Sequence, residues 1–299
     1  MKPTLLILAA GMASRYGSMK QIDGFGPNGE TIIDYSIYDA IKAGFGKVVF
    51  IIKEEYQQVI KDIFEPKLNG KIETEYVFQN FDLKQFGIEE EIYREKPWGT
   101  AHAMLSGRNV IKEPFCIINA DDFYGYDAFK KMADFLTNEV KDDQYSIIGY
   151  KIGNTLSEYG SVSRGVCNID DAGNITAINE RTEIYPKEGA IVYKENGEEF
   201  PLVFDNPVSM NFWGFTPAVF KVTEEQFVKF ALANKEKPKA EYFIPLIADY
   251  LIQNNIANFK SIPTDNKWFG VTYKEDKPIV QASIDKLVKD GVYPENLWN

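Results

Sequence analysis

The sequence predicts an α/β fold, a mixed and mostly parallel sheet with helices on both faces and a strand-rich later half. Short apolar runs alternate with segments of helical period through about the first 120 residues, which is the rhythm of strand, helix, strand units. The runs read as strands buried on both faces, as expected of parallel strands under helices. From about Tyr145 the chain becomes richer in strand and turn signals. The class is therefore Rossmann-like, and in open sheets of this kind ligands bind at the carboxyl ends of strands.

Leu5, Leu6, Ile7 and Leu8 form the first predicted strand, ending at Ala9, Ala10 and Gly11. Thr31 is placed to cap a helix, with Asp34 three residues on and Ile33, Ile37, Ala40 and Ile41 along one face; Gly44 ends it. Val48 to Ile52 is a second buried strand, Tyr56 to Phe64 a helix, and Ile72 to Phe78 a third strand. Gly99 to Gly107 reads as a short helix and Phe115 to Asn119 as the fourth strand. In the later half, SIIGYKI, SVSRGVCNI and ITAINERTEI read as strands, with DDAGN as a hairpin connection between the last two. Val208 to Phe215 is a further strand. Helices follow from about Pro217 to Leu232, Glu241 to Gln253 and Lys277 to Lys289. No repeat or low-complexity tract divides the chain, so residues 1–299 read as one domain.

With 299 residues, 44% of them hydrophobic and 26% charged, the chain can bury a substantial core. Its net charge of −11 argues against nucleic acid or an anionic membrane as a partner, since either would need a basic face. A polyanionic ligand would have to be held by local cations and metal. Cys116 and Cys167 lack paired spacing and read as reduced core residues. Met1 to Ala10 is too short an apolar segment for a signal peptide, and no later stretch has the length of a membrane span. The expected compartment is the cytoplasm.

The segment LLILAAGMASRYGSMKQ carries the most chemistry. Small residues at Ala9, Ala10 and Gly11 allow backbone N–H groups to approach an anion, and Arg15 and Lys20 add two cations. Arg offers a planar fork and Lys a compact mobile charge, a pair suited to a polyphosphate. The plainer reading is a buried strand followed by a solvated loop. IINADDFYGYD then sets Asp121 and Asp122 directly after a buried strand, where an open sheet presents ligand groups.

These segments resemble the signature of the sugar-nucleotide pyrophosphorylases, nucleotidyltransferases that join a nucleoside triphosphate to a sugar 1-phosphate and release pyrophosphate. The spacing from Arg15 to Lys20 is compact, closer to cytidylyl- and molybdopterin-type relatives. The resemblance implies that Leu8, Ala9, Ala10 and Gly11 line the triphosphate, that Arg15 and Lys20 neutralise it, and that Asp121 holds Mg²⁺. Asp122 is a second ligand, a supporting group, or a loop carboxylate at a helix start. REKPWGTAHAM resembles the segment framing the base and ribose, with Gly99 and Thr100 opening a helix. Arg94 stands where the family usually has a glutamine, and Gln79 could supply an amide in its place. His102, the only histidine, reads as structural.

The acceptor half implied by the resemblance covers residues 141–276, after a nucleotide half over 1–140 and before a helix and tail over 277–299. Tyr159 and Gly160, in SEYGSVSRG, match a pair whose glycine amide meets a sugar hydroxyl. Glu180 and Arg181 stand in place of a Glu-Lys pair, Glu180 toward sugar hydroxyls and Arg181 toward the sugar phosphate. Asn211 matches a residue near the sugar ring. Thr272, in WFGVTYKED, aligns with the second metal ligand, a place that Asp122, Asp265 or Asp276 could also fill. The implied reaction needs nucleoside triphosphate, sugar 1-phosphate and Mg²⁺, with no protein nucleophile. Two other readings stand beside it: a phosphorylated alcohol such as phosphocholine as acceptor, and a non-catalytic sensor of nucleotide sugar. Base, sugar and oligomeric state are left open.

Overall fold

The computed structural model describes residues 1–11, 24–157, 160–271 and 276–299. Its main sheet is mixed, and its parallel half is built as the sequence predicts. β1 (Thr4–Leu8) lies between β2 (Lys47–Ile52) and β4 (Phe115–Asn119), with β3 (Glu73–Phe78) outside β2, all four parallel. Side chains alternate across it. Leu5 and Ile7 enter one core with Val48, Phe50, Cys116 and Ile118, whereas Leu6 enters the other with Val49, Ile51, Phe115 and Ile117. Helices α1 (Ile32–Ala43), α2 (Gln57–Leu68) and α4 (Tyr126–Asn138) cover the first face through Ile33, Ile37, Phe64, Phe129 and Met132. Helices α3 (Thr100–Ser106), α5 (Val219–Ala233) and α6 (Ile244–Gln253) cover the second through Met104, Leu105, Phe227 and Ile247. Each such side chain removed from water stabilises the fold by roughly 1.5–3 kcal/mol before entropy is set against it.

The later half is antiparallel except at one edge. β7 (Val162–Ile169), β8 (Ile175–Lys187), β9 (Ala190–Glu195) and β10 (Glu198–Leu202) form a meander, with the predicted turn between β7 and β8. β6 (Gln144–Lys151) carries β12 (Asn258–Thr264) in parallel pairing. β11 (Pro207–Phe215) joins the halves: Val208 and Ser209 pair with β7, whereas Trp213, Gly214 and Phe215 pair with β4. Along its other edge it follows β6. The change of partner occurs at a bulge between Ser209 and Trp213, where Asn211 has φ +62°. β5 (Asp122–Phe123) pairs separately with β13 (Phe269–Gly270). Helix α4 and strands β9, β10 and β12 are not among the predicted elements.

The start of α1 has the predicted form. Thr31 accepts from the Asp34 backbone N–H while the Asp34 carboxylate accepts from the Thr31 backbone N–H, and Gly44 ends the helix in the left-handed region at φ 102°. Helix α7 (Asp276–Lys289) and the residues after it pack on this element. Val280, Ile284, Tyr293 and Leu297 share a core with Phe25, Ile32, Tyr35 and Phe123. Trp298 Nε1 donates to Asp34 at 2.9 Å, and Tyr293 donates its hydroxyl to Asp39 at 2.7 Å. The apolar tail residues therefore pack on their own chain. Both cysteines are free and buried, and no helix among the described residues is long and apolar enough to cross a membrane.

Burial pushes the Asp39 carboxyl up to about 7, against the lowering effects of Tyr293 and Lys42. A carboxyl raised in the folded state favours folding when protonated, so its contribution is lost as pH rises from roughly 4 through 7. Asp39→Asn removes this titration. Near pH 4 variant and parent should differ least; by pH 8 the variant should gain on the order of a few kcal/mol, read by urea unfolding across the pH range.

Candidate functional site

The two corners singled out in the sequence are neighbours. β1 and β4 pair in register with Leu8 opposite Asn119, so the chain leaving β1 through Ala9, Ala10 and Gly11 starts beside the turn that carries Asp121. Ala9 and Ala10 are buried, and the Ala9 backbone N–H donates to Ile51 at 2.8 Å. Arg15, Lys20, Tyr159 and Thr272 lie outside the described residues.

Around Asp122 the polar groups form a connected chain. Its Oδ2 accepts from Asn119 Nδ2 at 2.8 Å and lies 3.2 Å from the Tyr124 hydroxyl. Tyr124 also accepts the Asn119 backbone N–H at 3.0 Å and reaches the Met210 carbonyl at 3.0 Å. Asn119 Oδ1 accepts from Asn211 Nδ2 at 2.6 Å, and Asn211 Oδ1 accepts from Trp213 Nε1 at 2.7 Å. The bulge in β11 thus hands a side chain to the end of β4. On its other oxygen Asp122 abuts β13, where a Cβ on Gly270 would stand 2.7 Å from Oδ1. Only glycine leaves that carboxylate in place.

Burial pushes the Asp122 carboxyl up to about 7, and the charge of Asp121 adds to this, against the bonds from Asn119 and Tyr124 and the charge of Arg164. Two carboxylates this closely coupled suit a hard divalent cation. Mg²⁺ takes one or two carboxylates and completes its shell with phosphate oxygens and water, which this donor set fits. No group of three metal-ligating side chains occurs among the described residues. Exposed Asp265 is paired with Lys151 at 2.9 Å, which holds its carboxyl low, and Asp276 is buried at the start of α7.

The segment from Arg94 to Met104 is bound to the loop before α6. The Arg94 guanidinium lies 3.8 Å from the Trp98 ring centroid and donates to the carbonyls of Lys96, Lys237 and Ala240. Gly99, at φ 101°, passes so close to the Tyr242 backbone that a Cβ would meet it at 2.5 Å. Thr100 Oγ1 accepts from the Ile244 N–H at 3.1 Å, and Ala101 N–H donates to Tyr242. These contacts fix the start of α3. Gln79 Nε2 meets His102 Nδ1 at 3.2 Å, and His102 is buried with its ring 4.7 Å from that of Phe227. Burial pushes the imidazole down to about 3, with Arg108 and Arg94 adding, so it is neutral near pH 7.

In the later half, exposed Gly160 precedes β7, and Glu180 on β8 is opposite Gly165. Burial raises the Glu180 carboxyl while Arg164 opposes it. Arg181 is ion-paired with Glu195 and lies over the Tyr193 ring at 4.6 Å. Sequence reasoning misses Asn119, Tyr124 and Arg164. The first is a polar residue closing an apolar strand and the last a cation between Val162 and Val166. Both are visible as breaks in an apolar pattern.

Asn211→Ala should cost about 2–3 kcal/mol in urea unfolding, since it orphans the buried Trp213 N–H and puts a Cβ-bearing residue without local hydrogen bonding at positive φ. Asn211→Gly should recover the backbone part of that loss.

A sequence profile described as Nucleotidyl transferase matches residues 6–271. No curated protein sequence matches the chain. Among solved structures, the inositol-1-phosphate CTP transferase from T. maritima aligns with a TM-score of 0.62 at 12% identity, over 95% of this chain and 97% of that one. A protein assigned as a glucose-1-phosphate thymidylyltransferase, from Bacillus anthracis, gives 0.62 at 13%, over 94% of each chain. A UDP-glucose pyrophosphorylase complexed with UDP-glucose gives 0.59 at 18%, over 96% and 99%. At these identities the likeness establishes the shared fold.

Proposed function

The chain belongs to the nucleotidyl transferase family, and from that premise we propose that it transfers a nucleoside monophosphate from a nucleoside triphosphate to a sugar 1-phosphate, releasing pyrophosphate. The observation that carries the reading is the register of Leu8 with Asn119, which aligns a small-residue strand end with an acidic one. Asn211 supports it by tying the later half to that same point. Two of the structural neighbours are named for work on glucose 1-phosphate or UDP-glucose.

In this reading an acceptor phosphate oxygen attacks the α-phosphorus in line, one P–O bond forms, and the bond to pyrophosphate breaks. The attacking group is already an anion near neutral pH, so no side chain has to remove a proton. Ala9, Ala10 and Gly11 give the triphosphate close backbone approach, and Arg15 and Lys20 offset its charge. Asp121, with Asp122 or Thr272, would hold Mg²⁺, which supplies further neutralisation of the phosphates when bound. Glu180 and Gly160 would meet acceptor hydroxyls. Residues 1–140 then form the nucleotide half of one domain, and 141–276 the acceptor half. Free, buried cysteines suit a reducing compartment such as the cytoplasm.

A second reading takes a phosphorylated alcohol as acceptor. It is favoured by the compact interval from Arg15 to Lys20 and by the neighbour named as an inositol-1-phosphate CTP transferase. Incubation with each common triphosphate, Mg²⁺, and panels of sugar 1-phosphates and alcohol phosphates, followed by pyrophosphate detection, separates the two. Release with alcohol phosphates alone selects the second reading, and nucleotide-sugar binding without release indicates a sensor. Lys20→Ala and Asp121→Asn should each lower turnover by at least about 100-fold with unchanged unfolding curves. A Lys20→Ala protein working at the parental rate would defeat the assignment.

A further inference from the structure

We infer that Arg164, seated on the Trp268 ring, is the residue that receives the acceptor's phosphate, the role that the sequence offers to Arg181. The inference rests on the transferase reading above and names the cation on its acceptor side. The two arginines are opposite one another across β7 and β8, yet their surroundings differ. Arg181 has an anionic partner in Glu195 and a ring beneath it in Tyr193, on a strand pair that reaches outward through exposed residues.

Arg164 is half-buried and held by its own strand and a neighbouring turn. Nε donates to Thr155 Oγ1 at 3.2 Å, Nη1 to the Ser163 carbonyl at 2.8 Å, and Nη2 to the Thr155 carbonyl at 2.5 Å. Its guanidinium carbon stands 4.7 Å from the Trp268 ring centroid. These contacts fix the plane of the fork, and a fixed planar fork is what recognises phosphate oxygens in pairs.

The position lies at the seam between the halves. Trp268 continues toward the acidic corner: a Cβ built on Gly270 would stand 3.2 Å from Trp268 Cζ2 and 2.7 Å from Asp122 Oδ1. On the other side, Glu180 Oε2 stands 3.8 Å from the Cβ position of Gly165, the residue after Arg164. The carboxylates whose charge acts on the guanidinium are Asp122 and Glu180, one from each half. Burial lowers its pKa to about 10, which leaves it charged at neutral pH. Among the described residues, Trp268 Nε1 is buried with no hydrogen-bond partner. A buried N–H beside a fixed guanidinium is a second donor for an anion oxygen. Together they suit a phosphomonoester whose hydroxyl-bearing part extends toward Glu180.

The test is calorimetric titration of the full chain with inorganic phosphate and with glucose 1-phosphate, alongside pyrophosphate-release kinetics. Arg164→Ala should weaken phosphate binding by at least about tenfold and raise the acceptor KM with little change in the triphosphate KM. Arg164→Lys keeps the charge without the fork and should fall between; it also serves if the alanine variant fails to fold. Trp268→Phe keeps the shelf and loses the N–H, with an expected loss of about threefold. A parent that binds neither probe, Arg164 variants that bind as the parent does, or a loss caused by Arg181→Ala in place of Arg164→Ala would each overturn the inference. Binding that depends on Arg164 without pyrophosphate release in any mixture would instead remove the transferase reading and leave this site standing.

Discussion

The chemistry proposed for this molecule depends on the level at which two parallel strands stop. β1 and β4 are hydrogen-bonded along their full length and end together at Leu8 and Asn119. Their apolar runs bury side chains on both faces. A slip of one residue would exchange the two core faces, so packing locks the register. Once it is locked, a small-residue turn and an acidic turn have to emerge side by side. The second condition is supplied by β11, which pairs with β7 early and β4 late. That change of partner requires a bulge, and the left-handed residue at the bulge is an asparagine whose amide reaches Asn119.

The electrostatics follow from the same corner. The chain is acidic overall, so an anionic ligand gains nothing from the global field and must rely on local groups. Asp121 and Asp122 set two coupled carboxyl groups where the strands end. The charges of Asp122 and Glu180 both act on the Arg164 guanidinium. In the proposed reading, the carboxyl pair and the guanidinium held by Thr155 and Ser163 would set a metal-bound polyphosphate and a second phosphate side by side. The segment from Arg94 to Thr100, which the resemblance assigns to the nucleotide, is itself anchored by the later half. Its polar groups bind the 237–244 loop, and this sets the angle at which α3 meets the second core face.

The parallel half is legible because its signals are local. Four apolar runs, a capping box at Thr31 and Asp34, and a glycine stop at Gly44 each act within a few residues. Helix α4 is overshadowed by the carboxylates of IINADDFYGYD, whose end overlaps the start of YDAFKKMADFLTN. The strands β9 and β10 are short; β9 holds only the four-residue apolar run Ala190 to Tyr193, and β10 is largely exposed and broken by Pro201, so neither shows sustained alternation or continuous burial. β12 carries Pro263, a residue that argues against a strand except at an edge, and it is an edge strand. The network of Asn119, Tyr124 and Asn211 is hidden for another reason. Its members are separated by up to 92 positions and meet only because β11 crosses from one partner to the other.

The embrace of α1 by the tail has a consequence for synthesis. Asp39 and Asp34 take Tyr293 and Trp298 as partners across separations of 254 and 264 positions. On the ribosome, α1 emerges long before residues 293–298 exist, and until then Asp39 lacks the Tyr293 hydroxyl, Asp34 has Thr31 and Lys67 but no Trp298 N–H, and Ile32 and Tyr35 lack the cover of Tyr293 and Leu297. The flank that is made first is thus among the last to close, and loop closure over that span sets its timing.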